Sequence, residues 1–477
     1  MSYVPHTDDE RRDMLAAVGV ERVADLFADV PENIRFPRLD LPAALAEADL
    51  VRAMKVLAGH NLHAAGPHTT GDTAGPQKTG PDTAGAGPPF TGAPESFLGA
   101  GVYHHFRPAT VDYILGRGEF YTSYTQYQPE VSQGMLQALF EYQSMICRLT
   151  AMEVASASHY NGANALAEAV LLALDASRRR CGIVMSPALH PQYREVVRTY
   201  LDARPAEITG DDDQGALDPA RLMAKISADT AAIVVQNPNF FGQIEPLEAL
   251  VAAAHRAGAL AIVITDPIFL GLFRPPGACG ADVVVAEGQP LGIPPSFGGP
   301  HLGIFATRMA HVRRMSGHLA GETRDACGRR GWVLTLATRE QHIRRARATS
   351  NICTNSALCA LAATVYLATM GRNGLRRVAE LCWHRSHYAA AAIARIEGVA
   401  VTPPPLPQQP FFKEFVVRLP RPAAVINARL REDGVVGGYD LGNVSPDLRD
   451  HMLIAVTEVN TRAGIDRLVS ALRKAVS

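Results

Sequence analysis

Short apolar runs alternate with longer amphipathic stretches through the middle of this 477-residue chain. The runs are rich in Val, Ile and Ala, which is typical of parallel strands buried on both faces, and the stretches between them have the spacing of covering helices. The pattern predicts an α/β fold with a mostly parallel sheet and helices on both faces. The predicted strands are Gly182–Ser186, Ala206–Thr209, Ala231–Gln236, Ala259–Thr265, Ala281–Ala286 and His301–Ala306.

Polar residues follow three of these strands at their carboxyl ends, where open α/β sheets bind their ligands. Asn237 and Asn239 follow one strand, Asp266 the next, and Gln289 a third. We expect a site there. For Asp266 a second interpretation stays open, that of a turn residue before Pro267.

Two long helices are predicted ahead of these strands, at Pro129–Leu149 and Ala165–Ala176. The second opens with an Asn-Gly turn that contains Gly162 and Asn164. Free N–H groups at a helix N-terminus suit an anion such as a phosphate, so both residues are candidate ligand contacts. A flexible Gly298-Gly299 pair precedes the last strand and joins the same candidate set.

The remaining segments differ in character. Residues 1–58 read as an N-terminal helical arm, and residues 59–95 are a Gly-, Pro- and Thr-rich insertion that is predicted to be disordered because it buries little apolar surface. Residues 96–330 form the large α/β domain. Residues 331–477 are expected to be a helical linker and a small C-terminal α/β domain, and the chain after Arg308 is expected to turn helical.

Composition narrows the class of protein. Hydrophobic residues make up 47% and charged residues 19%, which is typical of soluble globular proteins, and the net charge of −1 argues against a dedicated nucleic-acid binder. No apolar run spans a bilayer and no signal peptide is evident, so a cytoplasmic location and no membrane association are expected. The seven cysteines and sixteen histidines lack metal-binding spacing. We predict no metal site.

Lysine is rare enough that every one can be considered. None of the five follows a core strand at its carboxyl end, so none is expected to reach the ring of a ligand bound at the carboxyl ends of the strands. The five are Lys55, Lys78, Lys225, Lys413 and Lys474.

Aromatic and hydroxyl side chains cluster just before the first long helix. They either seal a domain edge or line a pocket shared with a neighbouring chain. The candidates for pocket contact are Tyr121, Thr122, Tyr124, Thr125, Tyr127 and Gln128.

An arginine-rich run, Arg339 to Asn355, follows later in the chain. A run of charges is usually a solvated helix face. The alternative is a docking patch for an acidic carrier protein.

Several of these motifs together resemble one family, the glycine decarboxylase P-proteins of the glycine cleavage system. The matching stretches are the YTSYTQYQPEVSQG segment, the REQHIRR and ATSNICT runs, and the strand, loop and Gly-Gly layout around Gln289. The resemblance implies the pyridoxal-phosphate (PLP)-dependent transferase fold, fold type I. It also implies that Gln289 stands where the family carries the lysine that binds PLP. A carboxamide cannot form a Schiff base, so no catalytic residue is expected in this chain alone.

The resemblance further implies a subunit of a two-chain enzyme, in a two-plus-two assembly whose other subunit holds PLP on its own lysine. Such an enzyme decarboxylates glycine and passes the aminomethyl group to the lipoyl arm of H-protein. Asp266 would be the remnant of the aspartate that faces the PLP ring nitrogen. Two alternatives remain open: a self-sufficient PLP enzyme that uses an unexpected lysine, and a non-catalytic scaffold or regulatory subunit with this fold.

Overall fold

The computed structural model describes residues 6–59, 94–123, 125–177, 180–213, 217–348, 350–402 and 409–477. Its residues divide into two compact units, Met1–Asn61 and Leu62–Ser477. Lys78 lies outside the described residues, and so does the predicted insertion except for residues 59, 94 and 95. The strands are β1 (Glu95–Ser96), β2 (Val154–Ala155), β3 (Gly182–Met185), β4 (Glu207–Thr209), β5 (Thr230–Asn237), β6 (Leu260–Thr265), β7 (Val283–Glu287), β8 (Gly303–Thr307), β9 (Leu319–Arg324), β10 (Arg330–Thr335), β11 (Ala400–Val401), β12 (Glu414–Arg418), β13 (Val435–Val436), β14 (Tyr439–Asp440) and β15 (His451–Ala455).

Helices cover these strands or connect them. They are α1 (Asp8–Val18), α2 (Glu47–Gly59), α3 (Ala109–Leu115), α4 (Gly118–Tyr121), α5 (Gln133–Thr150), α6 (Gly162–Ser177), α7 (Pro191–Leu201), α8 (Pro219–Ala224), α9 (Leu247–Arg256), α10 (Gln341–Arg344), α11 (Ala357–Ile393), α12 (Ala423–Glu432) and α13 (Arg462–Val476). None of the helices in the described ranges is both long and apolar enough to cross a bilayer.

A seven-stranded sheet forms the centre of the larger unit, in the order β2-β8-β7-β6-β5-β3-β4. Strands β4, β3, β5, β6 and β7 run parallel, and β8 and β2 add an antiparallel edge. The six predicted strands all form, with ends that differ by one or two residues. The prediction of a mostly parallel sheet is confirmed.

Both faces of this sheet are buried, as the apolar runs require. Along β7, Val284 belongs to one hydrophobic cluster with Leu136 of α5 and Leu361 of α11. Val283 and its same-face neighbours belong to another cluster with Val170 of α6. Because successive strand side chains point to opposite faces, an unbroken apolar run is what a sheet between two helical layers needs.

The expectation of a helical segment after Arg308 is wrong. Strands β9 and β10 form an antiparallel hairpin there, closed by a turn in which the Asp325 carboxylate accepts hydrogen bonds from the N–H groups of Cys327 and Arg329, each 2.9 Å long. The run Trp332-Val333-Leu334 has strand-forming side chains, and Asp325 and Gly328 supply the turn. The arginine-rich composition of the segment favoured a helix over this local strand pattern, and the prediction followed the composition.

The C-terminal part of the chain builds a smaller sheet, in the order β11-β12-β15-β14. Helices α12 and α13 pack against it through a cluster that includes Phe415, Ile454 and Leu468. Antiparallel pairing with β15 fixes the register of β12, with Glu414 opposite Ala455. This pairing sets where the residues just before β12 lie.

The N-terminal unit contains α1, α2 and short 3₁₀ turns. Thr7 caps α1 in a reciprocal capping box with Glu10, and Gly19 ends the helix with φ of 84°. The predicted helical character of the arm therefore holds for α1. Residues 20–46 are mostly turns and irregular backbone, not the continued helix that their apolar spacing suggested.

Candidate functional site

A cavity of about 50 Å³ opens at the carboxyl ends of β5, β6 and β7. This is where an open α/β sheet is expected to bind its ligand. The residues that matter most for its chemistry are Glu287 at the end of β7, Asn239 and Asp266 from the loops after β5 and β6, His190 and Tyr193 near the start of α7, and Lys413. We call this the strand-end pocket.

Of the two roles that the sequence left open for Asp266, the structure shows the turn role. Its Oδ1 accepts a hydrogen bond of 2.8 Å from the N–H of Ile268, which is the turn role. Its Oδ2 lies 2.5 Å from Nζ of Lys413. The carboxylate is therefore fully used by the chain itself.

Lys413 was excluded from the pocket by sequence reasoning, and that exclusion is wrong. The residue precedes β12, and its side chain is 2% exposed, with Nζ lying 3.5 Å from the centroid of the Tyr103 ring. It reaches the sheet because the small sheet packs back over the strand ends, a long-range arrangement that local periodicity does not encode. A lysine–glutamate pair inside the apolar run FFKEFVV was the available signal.

A chain of buried polar groups continues from this lysine. His105 Nε2 lies 3.0 Å from Lys413 Nζ, and His105 Nδ1 lies 2.7 Å from Oε2 of Glu458. An ammonium only donates, so a charged Lys413 pairs with the His105 tautomer that accepts at Nε2 and donates from Nδ1 to Glu458. Burial raises the pKa of Glu458, but the His105 imidazole and the N–H of Phe106 outweigh it and lower this pKa to about 2.

Glu414, the neighbour of Lys413, is buried on the other side of the Tyr103 ring. Its Oε2 accepts the hydroxyl of Tyr103 at 2.7 Å, and its Oε1 accepts the N–H of Ala100 at 2.7 Å. Burial raises the pKa of Glu414 and also that of the Tyr103 phenol. The two neighbours thus fasten the segment around Tyr103 to the small sheet.

Gln289 does not line the strand-end pocket. Its side chain, 1% exposed, pairs with the backbone of Tyr103: Oε1 accepts the N–H at 3.0 Å and Nε2 donates to the carbonyl at 2.9 Å. Nε2 also donates to the carbonyl of Ile293 at 2.7 Å. A lysine could not reproduce the accepted bond, so the carboxamide has a structural role of its own.

The predicted anion site at the start of α6 is taken by a carboxylate of the chain. Oε2 of Glu287 accepts the N–H of Gly162 at 3.0 Å, and Oε1 accepts the N–H groups of Gln289 and Leu302, each at 3.0 Å. Glu287 raises the pKa of the neighbouring His301 through a hydrogen bond. Three backbone donors therefore converge on one carboxylate.

Gly162 makes this approach possible. A Cβ at this position would lie 2.2 Å from the hydroxyl of Tyr193 and 3.0 Å from the nitrogen of Glu287. Burial, followed by the charge of Glu287, raises the pKa of Tyr193 well above its ordinary range. Asn164 is buried and donates to the Tyr200 hydroxyl at 2.7 Å, away from the pocket.

The remaining strand-end candidates have structural contacts. Asn239 lines the pocket, but its side chain accepts two N–H groups of its own loop and donates to Glu245 at 2.6 Å. Asn237 accepts the N–H of Glu245 at 3.1 Å. Gly298 and Gly299 lie in a surface turn and do not line the pocket.

The aromatic candidates lie elsewhere. None of residues 121–123 and 125–128 lines the strand-end pocket, and Tyr124 is outside the described residues. Tyr127 donates its hydroxyl to the carbonyl of Cys353 at 2.5 Å, and its ring centroid lies 5.6 Å from that of His342. Tyr121 is 69% exposed, and Thr122, Thr125 and Gln128 are exposed or half-buried.

The arginine-rich run therefore lies beside the aromatic candidates. Arg339 is a structural member, since it donates to the carbonyls of Met315 and Gly317, whereas residues 341–347 are exposed and Ile343 is 55% exposed. We call residues 121–123, 125–128 and 341–347 the aromatic–arginine face. The structure separates this face from the strand-end pocket.

One group in the described part of the chain has the spacing of metal ligands: His105, Cys382 and Glu458, with ligand atoms within 4.8 Å of one another. Sequence spacing gave no sign of it, because the three residues are far apart in the chain. In the present arrangement His105 and Cys382 both direct hydrogen bonds at Glu458. The absence of a metal site stays a prediction.

PLP does not fit the strand-end pocket as it stands. Gln289 offers no amine, Asp266 is paired with Lys413, and the helix N-terminus already holds Glu287. The carboxylate that would face a PLP ring nitrogen and the helix N–H that would bind its phosphate are therefore already paired with side chains of the chain itself.

The architecture nevertheless defines a class: it is the fold of PLP-dependent transferases and lyases. A sphingosine-1-phosphate lyase of Burkholderia pseudomallei superposes with a TM-score of 0.61 over 94% of both chains at 15% identity, a likeness of fold alone. A crystal structure of glycine decarboxylase (P-protein) of the glycine cleavage system, in inhibitor-bound form, superposes with a TM-score of 0.85 at 42% identity and covers 100% of both chains.

The chain belongs to the glycine cleavage system P-protein family, whose model matches residues 91–472. A relative from Thermomicrobium roseum, named probable glycine dehydrogenase (decarboxylating) subunit 1, is 50% identical over 100% of both chains. A relative of the same name from Moorella thermoacetica is 46% identical over 99% of both. The resemblance seen in the sequence is confirmed.

Proposed function

We propose that this chain is subunit 1 of a two-chain glycine dehydrogenase (decarboxylating), and that PLP is held by a partner chain, subunit 2. Full-length similarity to chains of that name supports the assignment. The observation that carries the division of labour is the backbone pairing of Gln289, because it fills with a carboxamide the place where a cofactor amine would be needed.

In this proposal the chain acts from across a subunit boundary. The aromatic–arginine face presents phenol, hydroxyl and amide groups from residues 121–123 and 125–128 beside the exposed basic residues 341–347. The partner's cofactor, bound glycine and the lipoyl arm of H-protein would meet these groups at the boundary. Residues 341–347 would receive the carrier, since exposed arginines favour an acidic partner. The assembly would be a cytoplasmic two-plus-two heterotetramer.

Reconstitution tests the proposal. The chain and subunit 2 are purified separately and mixed, and exchange of labelled bicarbonate into the glycine carboxyl is measured with lipoylated H-protein. Exchange should require both chains, and light scattering should give the mass of two copies of each. Exchange by this chain alone, or undiminished exchange by subunit 2 alone, would contradict the proposal.

A self-sufficient PLP enzyme is the second candidate, and the position of Lys413 is the observation that favours considering it. The ammonium is in the pocket, although it lies against Asp266, at the end where a PLP ring nitrogen would be. Incubation with PLP, borohydride reduction and peptide mapping would decide. Labelling of Lys413, lost in Lys413→Ala, would establish the second candidate, and unlabelled Lys413 would exclude it.

A scaffold role is distinguished by the aromatic–arginine face. The variants Tyr121→Phe, Tyr127→Phe and Gln128→Ala are compared in the reconstituted exchange reaction. If all three keep full exchange while the chain is still required, the chain supports its partner without lining the reaction site.

A further inference from the structure

Three parts of a PLP site depend on charge complementarity. A carboxylate faces the ring nitrogen, backbone N–H groups at a helix N-terminus hold the phosphate, and a lysine amine holds the aldehyde carbon. At the strand ends Asp266 is paired with Lys413, and the N–H of Gly162 at a helix N-terminus is paired with Glu287. Lys413 carries the charge that a pyridinium would bring, and Glu287 carries negative charge as a phosphate would.

The Lys413 ammonium sits in a cradle that suits an organic cation. Asp266 Oδ2 lies 2.5 Å away, the face of the Tyr103 ring lies 3.5 Å away, and His105 Nε2 accepts at 3.0 Å. A carboxylate and an aromatic face together are the usual recognition elements for a cation. A protonated pyridine nitrogen would seek the same carboxylate.

Backbone hydrogen bonds and ring packing hold the segment that contains Phe412 and Lys413, so the position of the lysine is well defined. The N–H of Phe412 donates to the carbonyl of Gly242 at 3.0 Å, and the carbonyl of Lys413 accepts the N–H of Val456 at 2.8 Å. The Phe412 ring packs edge-on against Phe269 at 5.4 Å. The small sheet thus holds the ammonium over the strand ends.

Glu287 also lines the pocket and supplies the second charge. Its carboxylate accepts three backbone N–H groups, including that of Gly162 at the start of α6. A phosphate would use donors of this kind. Negative charge is therefore supplied at the helix N-terminus, and positive charge at Asp266, without a ligand.

We propose that the strand-end pocket is a cofactor site which the chain fills with its own side chains, Lys413 standing in for the pyridinium and Glu287 for the phosphate. The proposal deepens the part of the proposed function that places PLP on the partner. It assigns a cation-binding site, formed by Asp266, Tyr103 and His105, whose resident ligand is a tethered primary ammonium. Exclusion of free cofactor then follows from occupancy as well as from Gln289.

A double-mutant cycle on the isolated full-length chain tests the first substitute. Lys413→Met keeps the volume but removes the charge, and Asp266→Asn removes its partner. Each single change should lower the Tm by about 5 °C or more, because it leaves a buried charge without its counter-ion. The double variant should lose clearly less than the sum of the two.

The matched control is Lys474→Met with Asp433→Asn, a lysine–aspartate pair at 2.7 Å whose lysine side chain is 73% exposed. Neither control variant should shift the Tm measurably. Additive losses in the Lys413–Asp266 cycle, or losses no larger than those of the control pair, would overturn the proposal.

Ligand probes test the pocket directly. Lys413→Gly should gain several degrees in Tm from tens of millimolar n-butylammonium chloride, but not from equal sodium chloride or from n-butanol, and the unchanged chain should respond to none of them. Equilibrium dialysis with pyridoxamine 5′-phosphate, which lacks the reactive aldehyde, should show no saturable binding to the unchanged chain. Stoichiometric binding there, or an equal response of Lys413→Gly to butanol, would overturn the proposal.

These outcomes are independent of the reconstituted reaction. If the mixture of this chain and subunit 2 shows no exchange activity, the proposed function is refuted, but the coupling between Lys413 and Asp266 is unaffected. Absence of coupling would refute the filled-site proposal and leave the exchange reaction untouched.

Discussion

Lys413, which lines the strand-end pocket, is 2% exposed, and Gln289, which lies outside the pocket lining, is 1% exposed; each makes polar contacts within the chain. On the aromatic–arginine face Tyr121 is 69% exposed and Ile343 is 55% exposed. The pocket lies at the strand ends, where this kind of sheet binds ligands, yet the charged groups Asp266, Lys413 and Glu287 are paired within the chain. The face lies away from the expected site, yet its groups are open to another molecule. The two regions therefore differ in how many of their polar groups remain accessible to another molecule.

The largest expected effect comes from restoring a lysine. Gln289→Lys should destabilise the chain by about 4 kcal/mol, because it buries an ammonium and leaves the N–H of Tyr103 without its acceptor. Urea unfolding followed by circular dichroism measures the loss. Gln128→Lys, on the exposed face, is the control and should leave the midpoint unchanged. A stable Gln289→Lys chain that binds PLP would erase the difference between the two regions.

The next effect is a pH dependence that comes from the buried polar network of Lys413, His105 and Glu458. The pKa of Glu458 is lowered to about 2 from an ordinary value near 4.5, so its stabilisation is fully present above pH 4.5 and is lost as the pH falls toward 2. The difference corresponds to roughly 3 kcal/mol. Glu458→Gln should be less stable at pH 7 and should flatten the loss of stability below pH 4.5. Glu130→Gln, near the exposed face, should keep the profile of the unchanged chain.

Carrier recognition should depend on the face and not on the pocket. Reversing two exposed charges, Arg345→Glu with Arg347→Glu, should raise KM for lipoylated H-protein on the order of tenfold in the reconstituted reaction, more at low salt than at high salt. Arg395→Glu with Arg431→Glu makes the same charge change elsewhere on the surface and should leave KM unchanged. Equal effects of both pairs would indicate a general charge effect and remove the docking assignment.

The smallest expected effect concerns the contact that holds the face in place. Tyr127→Phe removes a hydrogen bond of 2.5 Å to the carbonyl of Cys353 and should cost about 1 kcal/mol of stability. Tyr121→Phe removes an exposed hydroxyl and should cost nothing measurable. Urea midpoints at constant slope compare the two. Identical midpoints would mean that Tyr127 is not an anchor of the face.

Much of the fold could be read from local pattern, because parallel strands carry unbroken apolar runs. Strand β6 and Asp266 at its end fall where periodicity and the turn before Pro267 put them. The hairpin of β9 and β10 was missed because composition, in the form of arginine, outweighed the alternation around Trp332. Boundaries in the N-terminal unit failed because apolar spacing there does not continue as a helix.

The site was only partly readable, for a different reason. Gln289 could be singled out because the resemblance to P-proteins places the family's lysine at that position. Lys413 could not be placed, since its position depends on a second sheet packing over the first, and nothing within a short stretch of sequence encodes that packing. Glu287 was passed over because a carboxylate at the start of a turn has many ordinary uses. Long-range assembly, rather than residue type, decided which charges meet.

The backbone pairing of Gln289 with Tyr103 makes position 289 part of a long-range tie between two segments of the chain. A lysine introduced there would enter a site that is shaped around a carboxamide. Lys413 would still lie against Asp266, and Glu287 would still accept the N–H of Gly162. Conversion of this chain into one that binds a cofactor by itself would therefore require changes at several positions together.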